Sequence, residues 1–333
     1  MPDDGNPPRT PEEVIDLFES GRVNPAQAFS LFRQLENGAP PRRPVAPPAR
    51  PKGADDEAER QARLAEVLRE LDGLIGLHSV KKLVREVHAF VDIQRRRAAQ
   101  GLTTQPIVLH MIFKGNPGTG KTTVARIFGR MFKEMGVLPK GHLVEVERAD
   151  LVGEYIGHTA QKTRDVIRRA MGGILFIDEA YSLARGGEKD FGKEAIDCLV
   201  KAMEDARSEL VLILAGYRRE MDDFLRTNPG LRSRFPIHIE FNDYTPLELY
   251  RIAQGMFRQR EYRLDPAARD KLMAILRGAD RHLDAPFGNA RWVRNLVERA
   301  LRRQAVRLVG QQAITRQDLM LIRAEDIQEV PGD

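Results

Sequence analysis

Cysteine is almost absent: Cys198 is the single one in 333 residues. No internal disulfide can therefore staple this fold, and the thiol reads as reduced and partly buried, as in a cytoplasmic protein. Long apolar runs are missing too. Nothing approaches the ~20 consecutive apolar residues that span a bilayer, so no membrane insertion is expected. The acidic, proline-rich start MPDDGNPPRT has no apolar core and is not a secretory signal. Aromatics are scarce, at 6% with one tryptophan, and the net charge is a mild +5. A nucleic-acid surface usually brings a strongly basic domain or interleaved aromatics, so nucleic acid is not an expected partner. The arginine clusters at 95–97 and 298–307 read as solvated helix faces. What is present is ordinary for a globular chain: 42% hydrophobic and 30% charged residues, with a mean hydropathy of -0.42. That excludes global disorder, and the length suits two or three domains with a sizeable core.

Composition divides the chain. Eleven of the twenty prolines fall within the first 51 residues. There Thr10-Pro11-Glu12-Glu13 reads as a cap, a proline at the first helical position and an acidic first turn, and Asn24-Pro25 repeats the pattern. Val14, Leu17, Phe18, Phe29, Phe32 and Leu35 would form the seam of a small helical hairpin over 1–38. Residues 39–55 read as a proline-rich, semi-rigid linker. From residue 56 the pattern becomes a charged helix and then alternating strands and helices. Short strand-like runs occupy 108–114 and 143–147, and branched apolar runs at 173–177 and 210–215 suit strands buried on both faces. Helical patterns at 121–135, 161–171 and 193–206 separate them. The alternation predicts a parallel sheet covered by helices over 56–243. Amphipathic patterns at 246–261, 266–277 and 290–309 predict a smaller helical domain over 244–330.

Two motifs carry chemistry. Gly115-Asn116-Pro117-Gly118-Thr119-Gly120-Lys121-Thr122 follows an apolar strand and opens a helical pattern, the context required of a P-loop. Its glycines let backbone N–H groups close around phosphate oxygens, and the helix N-terminus favours negative charge. Lys121 would reach the β- and γ-phosphates and Thr122 would ligate Mg2+; Thr123 completes the expected ATP-binding run. The second motif, Ile174-Leu175-Phe176-Ile177-Asp178-Glu179, runs a buried strand into two carboxylates, 57 residues after Lys121 at Asp178. Strand ends in such sheets are where ligands sit. Asp178 would hold the magnesium and Glu179 would polarise the attacking water. Alone, the acid pair could equally cap a helix. Together with the P-loop it predicts an ATPase that uses ATP and Mg2+.

The P-loop, the segment DEAYSL and the segment NPGLRSRF together resemble the AAA+ ATPases. More narrowly, DLVGEYIGHTAQKT and FGNAR are similar to the family of stage V sporulation protein K and red-type rubisco activase. The resemblance covers roughly residues 71–323 and leaves the first 55 outside. It implies a P-loop α/β domain with a helical lid, built into a homo-hexameric ring that remodels a protein client. Spore formation is the favoured setting and the client is unknown. Within the resemblance Arg234, with Arg232 close behind, matches the arginine finger that a neighbouring subunit supplies. Arg291 matches the lid arginine that senses nucleotide, with Arg294 as the alternative. Ile75 and Gly76 match the segment that packs on adenine. Tyr155-Ile156-Gly157 matches the aromatic loop lining a central pore, although a tyrosine beside glycines can also be a packed loop. One departure stands out: the strand at 210–215 ends in Gly216-Tyr217, where many AAA+ proteins carry a polar sensor. A clamp-loader-like or initiator-like ATPase acting on DNA is the alternative. Salt-sensitive, DNA-stimulated turnover would mark it. A pure assembly switch would need neither Glu179 nor Arg234.

Overall fold

Branched apolar runs separated by helices give the sheet predicted from the sequence. In the computed structural model, which describes residues 10–20, 22–23, 28, 52–104, 108–155, 157–185, 191–278 and 287–328, five parallel strands form one sheet. They are β1 (Met111–Gly115), β2 (Leu143–Val146), β3 (Ile174–Ile177), β4 (Val211–Gly216) and β5 (Ile237–Phe241), in the order β2-β3-β4-β1-β5. Every residue of β3 and β4 is buried, as continuous apolar runs in a sheet covered on both faces should be. Successive side chains point to opposite faces. Met111, Phe113, Phe176 and Ile213 enter one core with helices His78–Ala99 and Lys121–Glu134. Ile112, Leu175, Ile177 and Leu214 enter the other with helices His158–Ala170, Gly192–Asp205 and Arg218–Thr227.

β5 is absent from the sequence reading, although IHIEF alternates with the strand period. It pairs in register with β1, Met111 facing Ile237 and Gly115 facing Phe241. Helix His78–Ala99 spans 22 residues. Helix Lys52–Gly73 starts four residues before position 56, inside the stretch expected to be linker. Beyond Val91, its last buried valine, helix His78–Ala99 continues through DIQRRRAA, where helix-forming Ala, Arg and Gln outlast the buried stripe.

A third core belongs to helices Pro246–Gln259, Pro266–Gly278 and Asn289–Val309, around Leu249, Phe257, Leu272 and Leu296. Thr245 and Glu248 form a reciprocal capping box and Pro246 takes the first helical position, so the entry to this domain is set locally. A two-stranded parallel pair, β6 (Arg263–Leu264) with β7 (Leu321–Ile322), ties its end back.

The chain divides into two units, Met1–Glu59 and Arg60–Asp333. In the first, helix Pro11–Glu19 starts as predicted, with the Thr10 hydroxyl accepting from the Glu13 N–H at 3.3 Å. Val14 is buried with Ala28. Phe18, expected in the seam, is 46% exposed. The rest of the expected seam, Phe29, Phe32 and Leu35, lies outside the described residues, as do Asn24-Pro25 and most of the linker.

Candidate nucleotide-binding site

β4 lies between β1 and β3, so the loops that follow these three strands meet at one edge of the sheet. The P-loop follows β1, Asp178 and Glu179 follow β3, and Tyr217 follows β4. A cavity of about 910 Å³ opens there. Pro117, Gly118, Gly120, Lys121, Thr122, Thr123, Asp178 and Glu179 line it, joined from the lid by Arg291 and Arg294. Both lid arginines therefore reach the cavity.

The P-loop is held from within. Lys121 is 9% exposed, and its ammonium donates to the carbonyls of Gly115 at 2.8 Å and Asn116 at 2.9 Å. The Thr119 hydroxyl, fully buried, donates to the Asn116 carbonyl at 2.8 Å. Gly120 adopts φ +99° and Gly118 φ +70°, the left-handed region that glycine enters freely. Burial holds the Lys121 ammonium below the ordinary lysine range. The Asp178 carboxylate opposes that, Arg291 adds to it, and Glu179 and Asp243 oppose it in turn. A buried cation with a third N–H available fits an anionic oxygen arriving from the cavity.

Glu179 follows the end of β3 with φ +46°, a conformation uncommon for a residue with a side chain and concentrated at functional sites. The Asp178 carboxylate, which lines the cavity, accepts from the Glu179 N–H at 3.0 Å. The Thr122 hydroxyl donates to Glu145 at 3.3 Å and keeps its lone pairs. Thr122 and Asp178 together offer the few protein oxygens that Mg2+ uses when phosphates and water complete its shell. Tyr217 lines the cavity beside them and stacks on Tyr181, ring centroids 5.9 Å apart. Burial and then the Glu179 carboxylate push its phenol above the ordinary tyrosine range.

The other end of the cavity is apolar. Leu74, Ile75 and Leu77 line it, with Ile252 and Met256 of helix Pro246–Gln259, apolar side chains of the kind that pack on a heterocycle. Gly76 is not among the lining residues. It turns the chain at φ +65°, where a Cβ would stand 2.4 Å from the Glu248 carboxylate. Lys81 donates to the carbonyls of Asp72, at 3.0 Å, and Leu74, closing the loop before it.

Residues 111–243 match the family model described as ATPase family associated with various cellular activities (AAA), and residues 245–332 match the AAA lid domain. Stage V sporulation protein K of Bacillus subtilis is 54% identical over 286 residues, 82% of this chain and 88% of that protein. Protein CbbX of Cereibacter sphaeroides is 50% identical over 78% of this chain and 84% of its own. This chain belongs to the AAA+ ATPase family of stage V sporulation protein K and CbbX. The chloroplastic ribulose bisphosphate carboxylase/oxygenase activase of Cyanidioschyzon merolae is 47% identical over 80% of this chain and 92% of its own. Among solved structures the fold is similar to the FIGL-1 AAA domain, TM-score 0.53 at 18% identity, covering 78% of this chain and 84% of that one. It is also similar to a variant of Thermotoga maritima RuvB, TM-score 0.51 at 21% identity, covering 77% and 69%. These two likenesses concern the fold alone. As a member of this family the protein is an ATPase that uses ATP with Mg2+.

The remaining residues singled out in the AAA+ pattern lie elsewhere. Arg232 and Arg234 sit on the short helix Pro229–Arg234 and neither is among the lining residues of the chain's own cavity. Arg234 pairs with Glu204, its Nε at 3.0 Å from the carboxylate, and donates to the Gly230 carbonyl at 2.8 Å; Arg232 is exposed. Tyr155 lies 23 residues before Asp178 on a loop leading into helix His158–Ala170 and is 66% exposed, its ring meeting that of His158 edge-to-face with centroids 5.6 Å apart. The base of that loop is fastened: Gly153 N–H donates to the Thr159 hydroxyl at 2.9 Å, and Thr163 donates to the Leu151 carbonyl at 3.1 Å. Gly157 turns at φ +81° with open space around it. Ile156 lies outside the described residues.

Sequence reasoning missed Glu145, Asp243, Tyr244, Ile252, Met256 and Asn289. Asp243 and Tyr244 follow the overlooked β5. Ile252 and Met256 lie four apart on a helix read only as amphipathic. Asn289 stands in the segment FGNAR, where the arginine drew the attention.

Proposed function

We propose that this ATPase works as a homo-hexameric ring that remodels a protein client in the cytoplasm, engaging it through the loop Tyr155-Ile156-Gly157. Lys121 meets the β- and γ-phosphates, Thr122 and Asp178 hold Mg2+, and Glu179 takes a proton from the attacking water. Ile75 and Gly76 shape the base pocket, and Arg291 reads the phosphates from the lid. When bound, Mg2+ supplies charge neutralisation at the phosphate oxygens. Arg234, or Arg232 beside it, serves the cavity of the next subunit, which its position off its own cavity favours. The observation that carries the reading is Tyr155: a large aromatic 66% exposed in a loop fastened at its base. A packing residue would be covered, whereas a gripping residue must be bare. The 54% identity to stage V sporulation protein K, against 47% to a rubisco activase, favours a client in spore formation.

The test uses a hydrolysis-dead trap. Glu179→Gln rings loaded with ATP should retain a client from sporulating cells, and the same rings carrying Tyr155→Ala should release it. Equal retention by both would overturn the pore-loop reading. DNA-stimulated turnover that fades steeply with salt would replace it by a DNA-directed ATPase.

A further inference from the structure

The lid touches the P-loop at the start of helix Asn289–Val309. There the Ala290 N–H donates to the Gly118 carbonyl at 3.2 Å, and a Cβ on Gly118 would lie 2.3 Å from the Gly288 carbonyl. Gly118 is thus kept bare by the lid as well as by its own backbone angle. Beside this contact stands Asn289, fully buried and at φ +47°, which no chemistry described so far uses.

Its side chain is hydrogen-bonded at both ends. Oδ1 accepts from the Tyr244 N–H at 2.9 Å. Nδ2 donates to the Asp243 carboxylate at 2.7 Å, to the Phe287 carbonyl at 2.9 Å and, more loosely, to the Pro117 carbonyl at 3.4 Å. The Asp243 carboxylate in turn accepts from Nδ2 of Asn116 in the P-loop, its oxygens at 3.0 and 2.9 Å. One carboxylate, placed between the ATPase domain and the lid, therefore holds an amide from each. Charge-assisted bonds of this kind are stronger than neutral ones, and a buried amide that loses its partner is costly.

We propose that Asn289 is a positioning residue: the chain Asn116–Asp243–Asn289 latches the lid to the P-loop, so that a rearrangement of the P-loop and a movement of the lid are one step. The carbonyls of Pro117 and Gly118 that accept from the lid belong to the loop whose backbone N–H groups would meet phosphate oxygens. Arg291 lies two residues after Asn289 and is carried with it. The latch deepens the nucleotide-site reading and is independent of the pore-loop reading.

The protein holds its own reporter. Trp292, the single tryptophan, packs on Phe287 at 5.7 Å and borders Gly288. Intrinsic fluorescence of the full chain, titrated with ADP and Mg2+, should change in the wild type. In Asn289→Ala, calorimetry should show ADP binding within a few-fold of wild type while the Trp292 response disappears and ATP turnover falls about tenfold or more. Asn289→Asp sets two carboxylates side by side and should be the most impaired variant. Combining it with Asp243→Asn restores one amide against one carboxylate and should recover part of the turnover and of the fluorescence response, the Phe287 and Pro117 carbonyls staying without their donor. Melting curves identify variants that fail to fold. Should Asn289→Ala be one, Asn116→Ala, which removes the other arm, takes its place with the same expected loss of response. A preserved Trp292 response in the chosen variant, a double variant no better than Asn289→Asp, or a wild-type Trp292 that ignores nucleotide overturns the latch. Lost ADP binding in Asn289→Ala overturns it as well, since that would put Asn289 in the nucleotide pocket itself. Failure of the nucleotide site is distinguishable, because the wild type would then not bind ADP at all.

Discussion

The P-loop and the Tyr155 loop are two glycine-bearing turns in one domain, and they are built in opposite senses. In the P-loop the lysine and threonine are drawn inward: Lys121 is 9% exposed and Thr119 fully buried, with each polar side-chain atom on a backbone carbonyl. In the Tyr155 loop the base is hydrogen-bonded and the aromatic is left bare at 66% exposure. A small, highly charged ligand is recognised by surrounding it with preorganised donors away from water. A polymer that must enter and leave can be gripped only by groups that stay exposed. The difference separates the residues that should govern nucleotide from those that should govern a client.

The severest way to break that comparison is at Lys121. Lys121→Ala removes the buried cation that meets the phosphates, and titration calorimetry should find ATP binding lost, with turnover abolished. Unchanged affinity would mean that the inward-facing loop is not the phosphate site. A smaller and more selective effect is expected at the subunit boundary. Arg234→Ala should bind ATP nearly as wild type yet lose turnover, as should Glu179→Gln. Rings mixed from the two should regain partial activity, because some interfaces join an intact site to an intact arginine. Mixed rings without recovery would place Arg234 with its Glu204 partner as a purely structural ion pair. Smallest of all is the effect on basal turnover of Tyr155→Ala. With the P-loop, Asp178 and Glu179 untouched, basal ATP hydrolysis should stay within a few-fold of wild type in a steady-state assay. A basal loss as deep as that of Glu179→Gln would show that the two loops are not independent.

Much of this site was legible because its signals are local. A P-loop needs glycines at set spacings, and Gly118 and Gly120 indeed occupy left-handed backbone. β3 and β4 read as buried strands since a run with no polar residue can only lie between two covered faces. Less was legible where partners are distant in sequence. Asn116 and Asp243 are 127 residues apart and Tyr244 and Asn289 are 45 apart, so no periodicity or spacing links them. The hairpin seam shows the reverse error: helical spacing placed Phe18 inside, yet spacing assigns a face and not the neighbour that must cover it.

By itself, then, the sequence determined the alternation of buried strands and amphipathic helices, the phosphate loop, and the acid pair at a strand end. Each follows from backbone conformation and from the periods of two and 3.6 that a chain of this composition must obey. Membership of the family likewise rests on residues readable in order along the chain. Tertiary structure alone decided the strand order that sets β4 between β1 and β3 and so gathers the cavity. It decided that Arg234 stands off its own cavity while Arg291 and Arg294 line it. It decided too that one aspartate is shared by an amide of the P-loop and an amide of the lid. Those outcomes depend on which surfaces exclude water together, a property of the packed chain that no local stretch contains.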